Sequence, residues 1–571
     1  MFEIKKRDGL ARLARVKTRH GVLETPTLLP VVNPKILTLT MEELRDCGAQ
    51  GLITNSYIIY KNPELKEIAE KKGIHNLLGW NGPIMTDSGT FQSHVYGEID
   101  MEPETILEFQ KNIGVDIGTV LDVFCEPETR FEEAKEELEE TQRRIIESDK
   151  NKGSIILAAP IQGGRHLDLR LKAAQMASET SADVFPIGGV VPLMEKNNFK
   201  TLAEVIIASK KGLDASRPVH LFGCGHPMLF ALASFLGCDL FDSSSYAKFA
   251  SRDSLMFTWG TRSLDELEEF PSEFSAAPGI TVNELKSMGK EARRKIIAKH
   301  NLIVSFTEIR RVKQAIHDGL LWELVESRLR NSPALMKVFA VIEKEIDWIG
   351  LFEPAYRYKT PIKTGNESNM RPIFSKLDDS FEAGEMKHPY FGNIPIHLSE
   401  TYPFHPGILQ DDVEGWRMQD WNFERVKSIL DYQFGKGIGK HLTDGDSELV
   451  ISRKTKRLRN LLVDGNHIAS LSHRRGLFVL QKKGAEILHE SSKYPKFRVV
   501  VDPETAEFNR KGKSVFCKFI KDIDPTLRCM DECLVVTPSD DLLAFGKLIV
   551  APSELELGQQ GMAVRVRGGL E

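Results

Sequence analysis

Two aspartates carry the pattern of a displacement site. Asp87 stands in MTDSGTFQ and Asp242 in LFDSSSY, each directly after a short apolar run. If both runs are strands that end on one rim, the two carboxylates converge. Such a pair suits substitution at an anomeric carbon: one carboxylate attacks and holds the sugar covalently, while the other manages protons. The competing reading is an aspartate that caps the helix following each run. Asp122, in TVLDVF, would accept from adjacent N–H donors such as N1–H and the exocyclic amine of guanine. Gln162 in IQGG, with the backbone of Gly188 and Gly189, would complete a base pocket, because glycine permits close backbone approach. Taken singly, each of these also reads as structural.

Eight short apolar runs must position these groups: TPTLLPVV (26–33), GLITNSY (51–57), PIMTDSG (83–89), IGTVLDVF (117–124), ILAAPIQGG (156–164), DVFPIGGV (183–190), PVHLFGCG (218–225) and DLFDSSSY (239–246). Near-continuous apolar runs of this length are expected of strands buried on both faces. FEEAKEELEETQRRIIE (131–147), LRLKAAQMASET (169–180) and HPMLFALASFLG (226–237) read as helices between them. The alternation predicts an α/β fold, a (β/α)8 TIM barrel. A doubly wound sheet usually carries a glycine fingerprint after its first strand, absent here. In such a barrel chemistry belongs at the C-terminal strand ends, where TDSG, LD, QGG, IGG, FGCGH and FDSSS all fall.

The chain has 571 residues, enough for about four domains at roughly 150 residues each. Four are expected: a catalytic barrel (1–350), a small α+β domain (351–425), a basic domain (426–495) and a small β-barrel (496–571) whose strands and turns alternate. Seven scattered cysteines fit reduced thiols in a cytoplasmic protein. The chain has neither an apolar signal-peptide core nor a membrane-length apolar run, so no membrane span is expected. A net charge of −5 argues against wholesale coating of nucleic acid but leaves local patches open. Residues 286–317, read as helical, hold nine Lys/Arg against two Asp/Glu, and residues 450–496 hold eleven against three, including RKTKRLRN. GKGIGK (435–440) is not a phosphate loop, since the spacing is wrong and His441 stands where Ser or Thr is needed.

The motifs TDSGTFQ, LDVF, IQGGRHLDLR, FPIGGVVPLME, HLFGCGHPM and FDSSSY, in this order, resemble the archaeal tRNA-guanine transglycosylase family. The tail from YPKFRVVVDP to VRVRGG resembles a PUA domain, an RNA-binding β-barrel, and NES and SETYPF extend the likeness through the middle. The resemblance implies exchange of guanine at position 15 of the tRNA D-arm for 7-cyano-7-deazaguanine, toward archaeosine. By motif, Asp242 would be the nucleophile at C1′ and Asp87 the general acid/base that also contacts the base. Phe91 would stack on that base, and Asp122, Gln162 and the Gly188–Gly189 backbone would read the incoming one. The target base must leave its stack to be reached. tRNA as partner and a homodimer are implied as well. The basic stretches, with Arg453, Lys454, Lys456 and Arg457 named among them, would then track tRNA phosphates.

One departure stands out. The family usually holds structural zinc on a Cys-x-Cys-x-x-Cys cluster and a later histidine. Here Ser272, Phe274 and Ala277 occupy the cysteine positions and only His300 remains, whereas tetrahedral zinc needs four good ligands. No metal or cofactor is therefore expected, His300 is assigned to the surface or to packing, and apolar packing around Phe274 would replace the metal's ordering. The alternatives are an archaeosine synthase-like amidinotransferase paralogue, a non-catalytic tRNA-binding subunit, and a transglycosylase with shifted base preference through Cys224 or Ser243–Ser245.

Overall fold

All eight apolar runs become strands in the computed structural model, which describes residues 2–90, 102–271, 276–375, 381, 384–388, 390–404, 421–558 and 560–571. Phe91, Ser272 and Phe274 lie outside the described residues. Contacts divide the chain into two units, Met1–His317 with Leu324–Val341, and Asp318–Glu323 with Ile342–Glu571.

The first unit opens with three strands, β1 (Phe2–Asp8), β2 (Ala11–Thr18) and β3 (Gly21–Thr25), paired as an antiparallel meander. Eight short strands follow: β4 (Thr27–Pro30), β5 (Leu52–Asn55), β6 (Ile84–Asp87), β7 (Ile117–Thr119), β8 (Ile156–Ala158), β9 (Phe185–Ile187), β10 (Val219–Leu221) and β11 (Leu240–Ser243). They pair in parallel as two four-stranded arcs, β5 to β8 and β9 to β11 with β4. Parallel bridges Val31–Ile53, Ala158–Val184 and Ile161–Ile187 join the arcs, so the ring closes. That is the expected TIM barrel.

The barrel interior is packed, not open. Leu29, Ile53, Met85, Ile117, Ala158, Val184 and Leu240 form one buried cluster, joined by Val16 and Leu23 from β2 and β3. The N-terminal meander thus plugs the N-terminal end of the barrel and leaves the other end for chemistry. Outer helices obey the same logic. Phe131–Asn151 buries Ala134, Leu138, Thr141, Ile145 and Ser148, a single stripe at alternating three- and four-residue spacing. After the barrel, a hairpin of β12 (Ser254–Phe257) and β13 (Gly260–Ser263) packs near the long helix Lys290–Asp318.

In the second unit, strands Ser447–Ile451, Leu458–Val463, Asn466–Ser472 and Leu477–Leu480 form an antiparallel meander. A six-stranded mixed sheet follows, from Arg498–Val501 to Met562–Gly569. One buried apolar cluster, from Met386 to Val564, runs through both sheets and the helix Phe423–Phe434.

Candidate active site

The barrel register fixes where each carboxylate starts. Asp87 is the last residue of β6 and lies opposite Asn55, the last residue of β5. Asn55 caps the next helix by accepting from the Ile58 N–H at 2.9 Å through Oδ1. That cap turns its amide nitrogen toward Asp87, which accepts from Nδ2 at 3.0 Å. Burial pushes the Asp87 carboxyl up to about 6, the Gly89 N–H opposes it, and the negative charges of Asp122 and Asp242 raise it further. A carboxyl with that affinity exchanges a proton readily near neutrality.

Asp242 lies on β11 and is 8% exposed. Its Oδ1 accepts from the Gly223 N–H at 2.8 Å. Gly223 has φ +68°, a left-handed turn that suits glycine. The buried thiol of Cys224 is pushed well up by its burial, with Cys238 and Asp242 adding to the effect.

Asp122 and Gln162 form one unit. Asp122 Oδ2 accepts from Gln162 Nε2 at 2.5 Å, and both side chains are buried. Burial raises the Asp122 carboxyl, and the Gln162 bond opposes the rise. Gln162 Oε1 has no hydrogen-bond partner among the described residues although it is buried. An acceptor in that state invites a donor from a ligand. Gly188 and Gly189 press against this amide: a Cβ on Gly188 would stand 2.5 Å from Nε2, and one on Gly189 would stand 3.0 Å from Oε1. Gly188 already donates to the Ile161 carbonyl at 3.1 Å and accepts from Arg170 at 2.9 Å.

Arg170, inside the IQGGRHLDLR motif, was not singled out by sequence. It is fully buried and also donates to Gly164 O at 2.8 Å and Ile161 O at 2.7 Å, tying together the loops after β8 and β9. Asn55 was missed as well, though its signal was present: it ends its apolar run in the same way that Asp87 does. So Asp87, Asp122, Gln162, Gly188, Gly189 and Asp242 all lie at or just past the C-terminal strand ends. Phe91 falls outside the described residues.

The expected phosphate contacts lie in the second unit. Arg453, Lys454, Lys456 and Arg457 are exposed on the turn joining Ser447–Ile451 to Leu458–Val463. Ser452 holds that turn, its carbonyl accepting from the Lys456 N–H at 2.8 Å. The meander brings the turn containing exposed His473 and Arg474 to the same sheet end. The basic stretch 286–317 is different, because much of its charge is spent within the first unit. Arg293 pairs with Asp253 at 2.7 Å, Lys295 with Glu43 at 2.8 Å, and Lys313 donates to Glu24 O at 2.6 Å.

For metals, His300 is an interior packing residue. Its ring is 2% exposed, Nε2 faces the Met256 carbonyl at 3.2 Å, and burial lowers its affinity for a proton to about 4. Ala277 offers no donor, so with Ser272 and Phe274 at the other two positions the residues do not fit a structural zinc. Among the described residues, one cluster has metal-ligand types, His20, His75 and Asp116. It lies where β6 and β7 begin, at the end away from the strand-end carboxylates. Asp116 accepts there from His20 N and Nδ1 at 3.0 Å, Ile84 N at 3.0 Å and His75 Nε2 at 3.2 Å. Four donors satisfy both oxygens, a clamp complete without an ion. A cavity of about 1420 Å³ in the second unit, lined by Asp431, Lys496, Asp522 and Arg528, contains none of the strand-end carboxylates.

Comparison with known proteins finds three family models along the chain. Residues 7–334 match the family model described as queuine tRNA-ribosyltransferase. Residues 424–495 match the patch-forming domain C2 of tRNA-guanine transglycosylase, and residues 497–570 match the PUA domain. A protein of Thermococcus onnurineus named tRNA-guanine(15) transglycosylase is 43% identical over 579 aligned positions, covering 100% of this chain and 99% of that protein. Proteins of the same name from Pyrococcus furiosus and Methanocaldococcus jannaschii are 42% and 38% identical, again over 100% of this chain and 98% and 99% of their own lengths.

Proposed function

This chain belongs to the tRNA-guanine transglycosylase family, and from that membership we propose that it exchanges guanine 15 of tRNA for 7-cyano-7-deazaguanine through a covalent Asp242–ribose intermediate. The enzyme is a transferase acting on tRNA guanine. Asp87, Asp242 and the Asp122–Gln162 pair group at one end of the barrel, which supports covalent exchange there. There Asp87 is raised toward neutrality by burial and by the two other carboxylates.

The reaction runs as a double displacement. Asp242 attacks C1′, the glycosidic bond breaks toward N9, and Asp87 delivers a proton to the departing guanine. The incoming base then gives its N9 proton to Asp87 and attacks C1′, and the C1′–O electron pair returns to Asp242. Two inversions give net retention. Asp122 accepts from N–H donors of the incoming base, while Gln162 Oε1 and the backbone of Gly189 complete the pocket. Gly188, whose N–H and carbonyl are bound within the barrel, serves by keeping its surface flat. Phe91 stacks on the base, and Arg453, Lys454, Lys456 and Arg457 hold tRNA phosphates.

We assign this activity to the cytoplasm and to a homodimer. No described helix is long and apolar enough to cross a membrane, and the family resemblance supports the dimer. The test is incorporation of labelled 7-cyano-7-deazaguanine into tRNA by Asp242→Ala and Asp242→Asn. Both should be inactive, and undiminished exchange in either refutes the assignment.

A further inference from the structure

We infer that His220 is a positioning residue for Asp242, gripping one carboxylate oxygen so that the other faces the sugar. The inference rests on the reading of Asp242 as nucleophile. His220 is the middle residue of β10, opposite Leu240 on the neighbouring β11. Its ring is fully buried, and neither ring nitrogen has a hydrogen-bond partner among the described residues. An imidazole ring always carries at least one N–H, and leaving it unsatisfied inside a barrel is costly. The group that faces it is Asp242: Nε2 lies 2.9 Å from Oδ1, off the line of a formed hydrogen bond. A small rotation of ring or carboxylate closes it. Phe222 packs edge-on against the imidazole at 4.8 Å and restricts larger swings.

The same Oδ1 already accepts from the Gly223 N–H at 2.8 Å. Two donors converging on one oxygen make it the held oxygen and leave Oδ2 for bond formation. The arrangement serves both halves of the exchange. In the first it fixes the attacking carboxylate at one angle. In the second it stabilises the negative charge that returns to Asp242 as C1′ is released, which is stabilisation aimed at a developing charge. In the sequence, His220 reads as a lone polar residue inside the apolar run PVHLFGCG. Only its neighbour gives it a role.

Two amide variants separate positioning from packing. The Gln side-chain nitrogen reaches about as far as Nε2, whereas that of Asn reaches only the Nδ1 position. Exchange of labelled guanine into tRNA is measured on full-length His220→Gln and His220→Asn, with KM for guanine and tRNA, kcat, and thermal midpoint. His220→Gln is expected to keep kcat close to wild type. His220→Asn should lose roughly 10- to 150-fold in kcat, the worth of a hydrogen bond to a charged group, with both KM values unchanged. A merely structural histidine predicts losses that follow thermal midpoint and ignore which amide is present. Equal kcat in the two variants, whether high or low, overturns the inference, as does a loss confined to KM. Asp242→Asn run alongside separates the two claims. If it retains exchange, the nucleophile reading fails; if it is inactive while both His220 variants match wild type, only the His220 role fails.

Discussion

Gly188→Ala tests the base-reading pair directly. A Cβ at this position would stand 2.5 Å from Gln162 Nε2 and 3.2 Å from Cδ. Ordinary contact begins near 3.4 Å, so the amide must retreat by about 0.9 Å. The obstructing atom is a side-chain tip rather than backbone, so the fold accommodates it at the cost of an overpacked site, about 1–3 kcal/mol. The pocket loses its alignment as well. The Gln162–Asp122 bond is already 2.5 Å long and cannot shorten, so the amide has to leave its line with the carboxylate. A hydrogen bond to a charged group contributes about 1.5–3 kcal/mol, which converts to roughly 10- to 150-fold in kcat/KM for the incoming base. The assay is steady-state incorporation of labelled base into tRNA, with the base concentration varied at saturating tRNA. The expected variant folds with a lowered thermal midpoint, because the buried Gln162–Asp122 bond is strained, and has an unchanged KM for tRNA and a kcat/KM for base reduced within that range. Unchanged kcat/KM for base in a folded Gly188→Ala protein would mean that the Asp122–Gln162 pair does not read the base.

Three further outcomes are expected. Asp87 keeps its proton to about pH 6 in the fold, against about 3.9 unfolded, so its contribution to stability falls as pH rises through that window and is level above it. Asp87→Asn should therefore raise the thermal midpoint at about pH 7.5, change it little at about pH 4, and abolish exchange; a lowered midpoint at the higher pH contradicts this. Replacing Arg453, Lys454, Lys456 and Arg457 together by Ala should flatten the salt dependence of tRNA affinity by about 0.7–0.9 logarithmic units per lost phosphate contact, leaving thermal midpoint and kcat at saturating tRNA intact. An unchanged salt slope counts against phosphate contact at this turn. Asp116 is held down at about 2 by His75, the Ile84 N–H and His20 against the opposing pull of burial, so its contribution is present above about 3.9 and lost as pH falls through the folded value. Asp116→Ala should cost about 1–3 kcal/mol near neutrality by orphaning the buried Ile84 N–H and the partly buried His20 and His75 donors, measured by urea denaturation, and a loss near zero would contradict the clamp.

The barrel was legible because its strands are buried on both faces, which writes each one as an uninterrupted apolar run ending in polar or glycine residues. The same rule located Asp87, Asp122, Gln162 and Asp242, since strand ends are where side chains can face a ligand. What escaped is what charge conceals. The N-terminal meander reads as a polar, basic segment, yet Val16 and Leu23 plug the barrel. Its Arg12 is 3% exposed and pairs with Asp239, also donating to Ala215 O at 2.6 Å and Arg217 O at 3.1 Å. Residues 286–317 look like a nucleic-acid face for the same reason, but several of their cations find partners that are distant in sequence. His220 and Arg170 belong to this class too: a polar residue acquires its meaning from what folds against it, and the one-dimensional pattern carries no record of that partner.

Exchange through Asp242 requires a covalent bond between its carboxylate and the ribose. Wild-type protein and Asp242→Asn are mixed with tRNA, freed of released guanine, denatured and resolved by electrophoresis, and the RNase-trimmed adduct is mapped by mass spectrometry. A denaturation-stable, RNase-sensitive protein–tRNA species is expected in wild type, with the added mass on the peptide carrying Asp242, and none in Asp242→Asn. An adduct that persists in Asp242→Asn, or that maps to Asp87, removes Asp242 as the nucleophile.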